Sequence, residues 1–155
     1  MFENIIKNVN NRHPLIHCIT NYVSINDCAN IVLACGGAPI MAEDINEVSQ
    51  ITSICQGLDI NIGMLNDNKL SSMLKAGATA NELGIPVILD PVGAGSSDYR
   101  IKAVQNLMSN VQFGVIRGNV SEIKAIAAKQ GIHNIAAGVY ETMQKNKSAM
   151  GVEAG

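Results

Sequence analysis

An α/β fold is predicted for this chain, with a mostly parallel, doubly wound sheet flanked by helices, and three observations predict it. Short apolar runs alternate with helical stretches through short loops, the rhythm of right-handed strand–helix–strand units. The run Ile85-Pro86-Val87-Ile88-Leu89 holds no polar residue, as expected of a strand with helices on both faces. The composition is 47% hydrophobic with 3% aromatic residues and no Trp, an aliphatic interior that suits such a sheet better than a β-sandwich. At 155 residues the chain fits a single domain, residues 1–155, with a sizeable core.

The elements follow in order. Residues 1–7 lack the basic segment and apolar run of a secretory leader. Leu15–Ile19 is the first apolar segment, and the turn Thr20-Asn21-Tyr22-Val23-Ser24 leads into a helix over about Ile25–Ala34, closed by Gly36 and Gly37. Ala38–Met41 is short and extended. A helix near Ile45–Cys55 puts Val48, Ile51, Ile54 and Cys55 on one stripe. Leu58–Ile62 alternates apolar and polar residues as a strand does. Asn66 or Asp67 caps a longer helix over Lys69–Leu83, which Gly84 and Pro86 end. The strand Val87–Leu89 stops at Pro91, which cannot donate to a ladder. A helix over Tyr99–Met108, a strand at Gly114–Ile116 and a helix over Ser121–Lys129 complete a sheet of about four strands. Residues 131–155 show weak helical periodicity, around Val139–Lys145, so an exposed sheet edge and an unfinished chain are expected.

The formal net charge of −2, without a basic cluster, argues against nucleic acid or an anionic membrane as partner. The aromatic residues that stack on single-stranded bases are missing, and no apolar run reaches bilayer-spanning length. A cytoplasmic home is expected. Cys18, Cys28, Cys35 and Cys55 show neither a C-x-x-C pair nor metal-site spacing. They are expected to be reduced and buried, Cys28 and Cys35 sharing an apolar helix face. His13 and His17 are four apart, but Pro14 between them breaks the helix that a metal pair would need.

Pro91 leaves Asp90 at the carboxyl end of its strand, the edge where open α/β sheets bind ligands, and Gly93 and Gly95 let backbone approach one. Asp90 can hold a metal ion, take a proton or merely cap a helix. Thr20, Asn21 and Ser24 read first as capping residues. Met41, after the Gly36-Gly37-Ala38-Pro39 turn, reads as core before pocket wall. Arg117 ends a strand just before Gly118 and a helix start at Asn119–Ser121, where guanidinium and free N–H groups can meet an anionic oxygen. Glu122 either complements that helix dipole or joins Asp90 beside a cation carried by a phosphate. Neither G-x-x-x-x-G-K-[ST] nor a dinucleotide-type G-x-G-x-x-G occurs.

The segments His17–Val23, Ala38–Ala42, Asn61–Gly63, Leu89–Gly93 and Ile116–Asn119 stand in the order and spacing of the hydroxyethylthiazole kinases of thiamine salvage, members of the ribokinase-like superfamily. The chain resembles that family over nearly all of residues 12–130. The resemblance implies a ribokinase-like fold and phosphorylation of the hydroxyethyl group of 4-methyl-5-(2-hydroxyethyl)thiazole, with ATP as co-substrate and Mg2+ as cofactor. It also implies a homotrimer with sites at subunit interfaces. By the same resemblance Met41 contacts the thiazole, with Asn21, Val23, Pro39 and Gly63 as pocket neighbours. Arg117, Asp90 and Asn119 would serve ATP, and Asp90 and Glu122 the magnesium. The family's second half carries a Gly-x-Gly-Cys segment at a helix N-terminus, which supplies the anion hole and the residue that activates the hydroxyl. No such segment occurs here and none of the cysteines matches it, so no catalytic residue is assigned. The chain is expected to be the N-terminal half of such a kinase, inactive alone. The alternative is a non-catalytic thiazole-binding module, a truncated paralogue that associates with an intact partner.

Overall fold

A computed structural model describes residues 2–129, so the periodicity expected around Val139–Lys145 lies outside the described residues. Helix α1 (Phe2–Arg12) leads into β1 (Leu15–Ile19), α2 (Ile25–Ala34), β2 (Ala38–Met41), α3 (Val48–Ser53) and β3 (Gly57–Asn61). Then come α4 (Asp67–Glu82), β4 (Val87–Asp90), α5 (Asp98–Asn110), β5 (Val115–Ile116) and α6 (Val120–Lys129). The strands form one parallel sheet in the order β2-β1-β3-β4-β5, five strands where about four were expected. Pro39 sits in β2, an edge strand, where its missing N–H costs least.

The chain steps from β1 outward to β2, returns past β1 to β3, and then runs on to β5. Right-handed crossovers therefore put α2 on one face and α3, α4 and α5 on the other. Accordingly α2 packs on β2, whereas α4 lies on β3 and β4 with α3 and α5 at its sides. The register sorts the strand residues by face. Leu58 and Val87, with Ile60 and Leu89 above them, point under α4 and α5, where Met73, Ala76, Ala80, Val104 and Leu107 complete the core. Gly77 permits this fit, because a Cβ there would lie 2.5 Å from a Val111 methyl.

On the other face Cys18, Asp59, Ile88 and Val115 stand in one row across four strands. Here the expectation of a strand buried on both faces fails. Ile88 is 40% and Val115 51% exposed, since α2 covers only the β1–β2 side of this face.

Three further differences have local causes. Helix α1 was not foreseen, although Ile5, Ile6 and Val9 repeat at helical spacing; Ile5 and Ile6 remain exposed, so no buried face announced it. Helix α3 is shorter than Ile45–Cys55 because the Asp44 carboxylate accepts from Asn46 N–H and holds residues 45–47 in a turn. All four cysteines are free, but only Cys18 and Cys55 are buried. Cys28 is half-buried on α2, which has no buried residue, and Cys35 lies exposed at that helix's C-cap. Burial pushes the Cys18 thiol up to about 12.

His17 faces the core side and is fully buried, with Nδ1 against Thr52 Oγ1 at 2.9 Å and Nε2 against the Ala42 carbonyl at 2.8 Å. The carbonyl can only accept, so Nε2 carries the proton. Burial lowers the pKa of the ring below its ordinary value.

Candidate functional site

The strand order reverses between β1 and β3, so an open crevice is expected beyond their carboxyl ends. A continuous run of hydrogen bonds lies there. Asn21, just past β1, accepts from Ser24 N–H at Oδ1 (3.0 Å) and donates through Nδ2 to Asn61 Oδ1 (3.2 Å). Asn61, the last residue of β3, donates to Asp90 Oδ2 at the end of β4 (3.1 Å). Arg117 Nη1, just past β5, reaches the same Oδ2 at 3.0 Å. Four neighbouring strand ends are thus joined by side chains. Gly63 is enforced here, because a Cβ would stand 2.8 Å from Asn21 Nδ2 and 2.9 Å from Asn61 Oδ1. Its N–H instead donates to Asn61 Oδ1 at 2.8 Å.

Two groups brace the loops around this line. Arg100, in the first turn of α5, donates to the carbonyls of Ile62 (2.7 Å), Val92 (2.8 Å) and Gly63 (2.7 Å), and so fixes the loops after β3 and β4 together. Glu122 accepts from Gly93 N–H at 2.9 Å and from Asn119 N–H at 2.8 Å, while Asn119 Oδ1 accepts from Glu122 N–H at 3.0 Å. The last two bonds form a capping box that starts α6, and the first ties the Gly93 loop to it.

Burial raises the Asp90 pKa and the Glu122 charge adds to that, with Arg117 acting against both. Asp59, two residues below Asn61 on the same face, is pushed up to about 6 by burial and by the charge of Asp90. Arg117 itself is 79% exposed, so its guanidinium stays open to solvent and to anions while one nitrogen holds Asp90.

Beside this line the loops after β1 and β2 enclose a cavity of about 170 Å³, whose walls include Cys18, Thr20, Tyr22, Ile25 and Met41. A wider cleft of about 580 Å³ lies between the loop after β2 and the start of α4, with Glu43, Asn66 and Lys69 in its walls. Glu43 lines both. Lys69 Nζ donates to the Thr20 carbonyl at 2.6 Å and pairs with Glu43 Oε2 at 2.7 Å; it also lies 4.5 Å from the centre of the Tyr22 ring. The Tyr22 hydroxyl donates to Glu43 Oε1.

Asn21, Gly63, Asp90 and Arg117 are brought together by direct contact or through Asn61. Met41 is half-buried in the cavity wall, and Pro39 lies two residues below it on the same face of β2. Val23 is 88% exposed and lines neither of these two cavities. Asn119 and Glu122 stand at the same edge, with their oxygens engaged by backbone N–H groups. Asn61, Arg100 and Lys69 were not anticipated. For the two cations a signal existed: each occupies the first turn of a helix, where the dipole favours anions, so a compensating acceptor had to be near.

Among the described residues no helix is long and apolar enough to cross a membrane. A family model described as the hydroxyethylthiazole kinase family matches residues 6–153. A hydroxyethylthiazole kinase of Clostridium acetobutylicum is 61% identical over 132 residues, which cover 85% of this chain and 48% of that protein. One of Alkaliphilus metalliredigens is 59% identical over 122 residues, 79% of this chain and 45% of the relative. The solved hydroxyethylthiazole kinase of Pyrococcus horikoshii OT3 superposes with a TM-score of 0.80 at 40% identity, covering 83% of this chain and 50% of that one. The chain therefore spans about half the length of the curated relatives it matches. It belongs to the hydroxyethylthiazole kinase family.

Proposed function

We propose that the protein serves ATP-dependent phosphorylation of the hydroxyethyl group of 4-methyl-5-(2-hydroxyethyl)thiazole, and that this chain supplies the thiazole pocket and part of the phosphate site. The observation that carries the reading is the line Asn21–Asn61–Asp90–Arg117, in a member of this kinase family. It runs from the crevice at the strand-order reversal to an exposed guanidinium, as a site joining an alcohol to a phosphoryl donor requires. Asn21, Met41 and Gly63, with Pro39 behind, make the thiazole end. Arg117 makes the phosphate end, because a guanidinium matches phosphate oxygens and keeps its charge at every working pH. Asn119, occupied as a helix cap, sits beside it.

Both bonds to Asp90 fall on Oδ2, which leaves the lone pairs of Oδ1 for a cation. A hard carboxylate oxygen beside a phosphate site is a suitable donor for Mg2+, and Asp90 would hold it. Bound there, Mg2+ would neutralise charge building up on the transferred phosphoryl group. Glu122 suits that task less, because both its oxygens already serve backbone N–H groups; it keeps the Gly93 loop and the start of α6 in place. A homotrimer in the cytoplasm completes the reading, in which the exposed Val23 would meet a neighbouring copy.

Phosphoryl transfer rests on positioning and charge stabilisation. The 155 residues contain no Gly-x-Gly-Cys segment, and loss of one oxyanion donor alone costs about a hundredfold to a thousandfold in rate. The purified chain should bind the thiazole alcohol in titration calorimetry and show no kinase turnover. Turnover at the rate of ordinary small-molecule kinases would overturn this division of labour, and absence of thiazole binding would remove the pocket.

A further inference from the structure

Lys69 is a side chain that the site as described does not use, and its position is costly. It is 3% exposed, so a full positive charge is held out of water. It occupies the third position of α4, after the Asn66 cap, where the helix dipole opposes a cation. A long flexible side chain is also frozen there. If packing were its only purpose, an apolar residue of similar volume would serve as well or better. The return is geometric. One ammonium group holds the Thr20 carbonyl of the loop after β1, the Glu43 carboxylate of the loop after β2, and the face of Tyr22. Tyr22 closes the triangle by donating to Glu43. Asn21 lies inside the Thr20–Tyr22 segment so held, and Met41 two residues before Glu43. Glu43, its ion-pair partner, lines both cavities, and Lys69 lines the larger one.

We propose that Lys69 is a positioning residue, an ionic clamp that fixes the loops after β1 and β2 against α4 so that Asn21 and Met41 are preset for the thiazole. Its effect on ligand rests on the thiazole reading; the clamp itself does not.

The test uses the full chain with Lys69→Met combined with Glu43→Gln, which removes the pair without stranding a buried charge. Melting temperature, backbone amide hydrogen exchange and affinity for the thiazole alcohol are measured together. The double variant should melt close to the parent. Exchange should accelerate at least about tenfold at residues 20–24 and 43–46 but not in β3 or β4, and thiazole affinity should fall about tenfold, the effect of one lost polar contact. A purely stabilising Lys69 would lower the melting temperature and leave the two loops no faster than the rest. A folded double variant with unchanged loop exchange would overturn the clamp. If the parent binds no thiazole, the functional reading fails, and loop exchange still decides the clamp. Lys69→Gln, which keeps a donor and gives up the charge, is read by the same exchange measurement should the double variant not fold.

Discussion

The two faces of the sheet divide the work between alternate residues of the same strands. On one face Leu58, Ile60, Val87 and Leu89 are sealed beneath α4 and α5. On the other, Asp59 lines up with the half-covered Ile88 and Val115 in the middle of the strands, and Asn61 with Asp90 at their carboxyl ends. Because side chains alternate strictly along a strand, stability and chemistry can change independently one residue apart, while a register slip of one residue would exchange them wholesale.

The sharpest test of this division is a pair of neighbours in β4. Leu89→Ala should cost about 2–5 kcal/mol, a core truncation, whereas Ile88→Ala should cost less than about 1 kcal/mol. Urea unfolding of both decides it, and equal losses would end the contrast between faces. Next comes Asn61→Ala, which strands the Asn21 amide and removes a donor from Asp90. A loss of about 1–3 kcal/mol is expected, with weakened thiazole binding.

The third test is pH. The folded pKa of Asp59 lies above its unfolded value of 3.8, at about 6, so the fold prefers the protonated acid. That preference stabilises fully below pH 3.8 and is lost as pH rises through about 6. Asp59→Asn should match the parent near pH 3.5 and gain about 1–2 kcal/mol on it by pH 8, after allowance for partial exposure. His17, on the sealed face, has the opposite sign. Its folded pKa lies below the unfolded 6.5, so its contribution is whole above pH 6.5 and fades as pH falls. Stability of Asp59→Asn should therefore decline more steeply from pH 6.5 to 4 than that of the parent. Parallel profiles would show that Asp59 does not feel its surroundings as inferred. The smallest stability effect belongs to Met41→Ala, which should leave most of the melting temperature intact while weakening thiazole affinity. A loss of about 2 kcal/mol or more would return Met41 to the core.

Residues that punctuate strands were legible. Pro91 and Gly118 mark where strands stop, and so Asp90 and Arg117 could be placed on one edge before any pairing was known. The uncovered half of the second face was not legible, because an apolar Ile88 looks the same whether or not a helix lies over it. Which side of the sheet α2 covers depends on strand order, a property of distant segments. Arg100 and Lys69 escaped for a related reason: their carbonyl acceptors at Ile62, Gly63 and Thr20 lie some thirty to fifty residues away in sequence. The capping box of Glu122 is a role beyond the dipole complement or cation neighbour expected of it, although Asn119-Val120-Ser121-Glu122 has the spacing of one.

The placement of β1 between β2 and β3 also sets an order of events during synthesis. As the chain leaves the ribosome, the β1–α2–β2 crossover unit is the first whose two strands are both available, with Ile16 against Pro39. Only when Gly57 has emerged does the other edge of β1 find its partner. Asn21 then waits for Asn61, Asn61 for Asp90, and Asp90 for Arg117. No link of the site can therefore close before the next strand end has been made. A nascent chain arrested before Asn61 lacks the middle of the line, and one released past Arg117 has every link of it available.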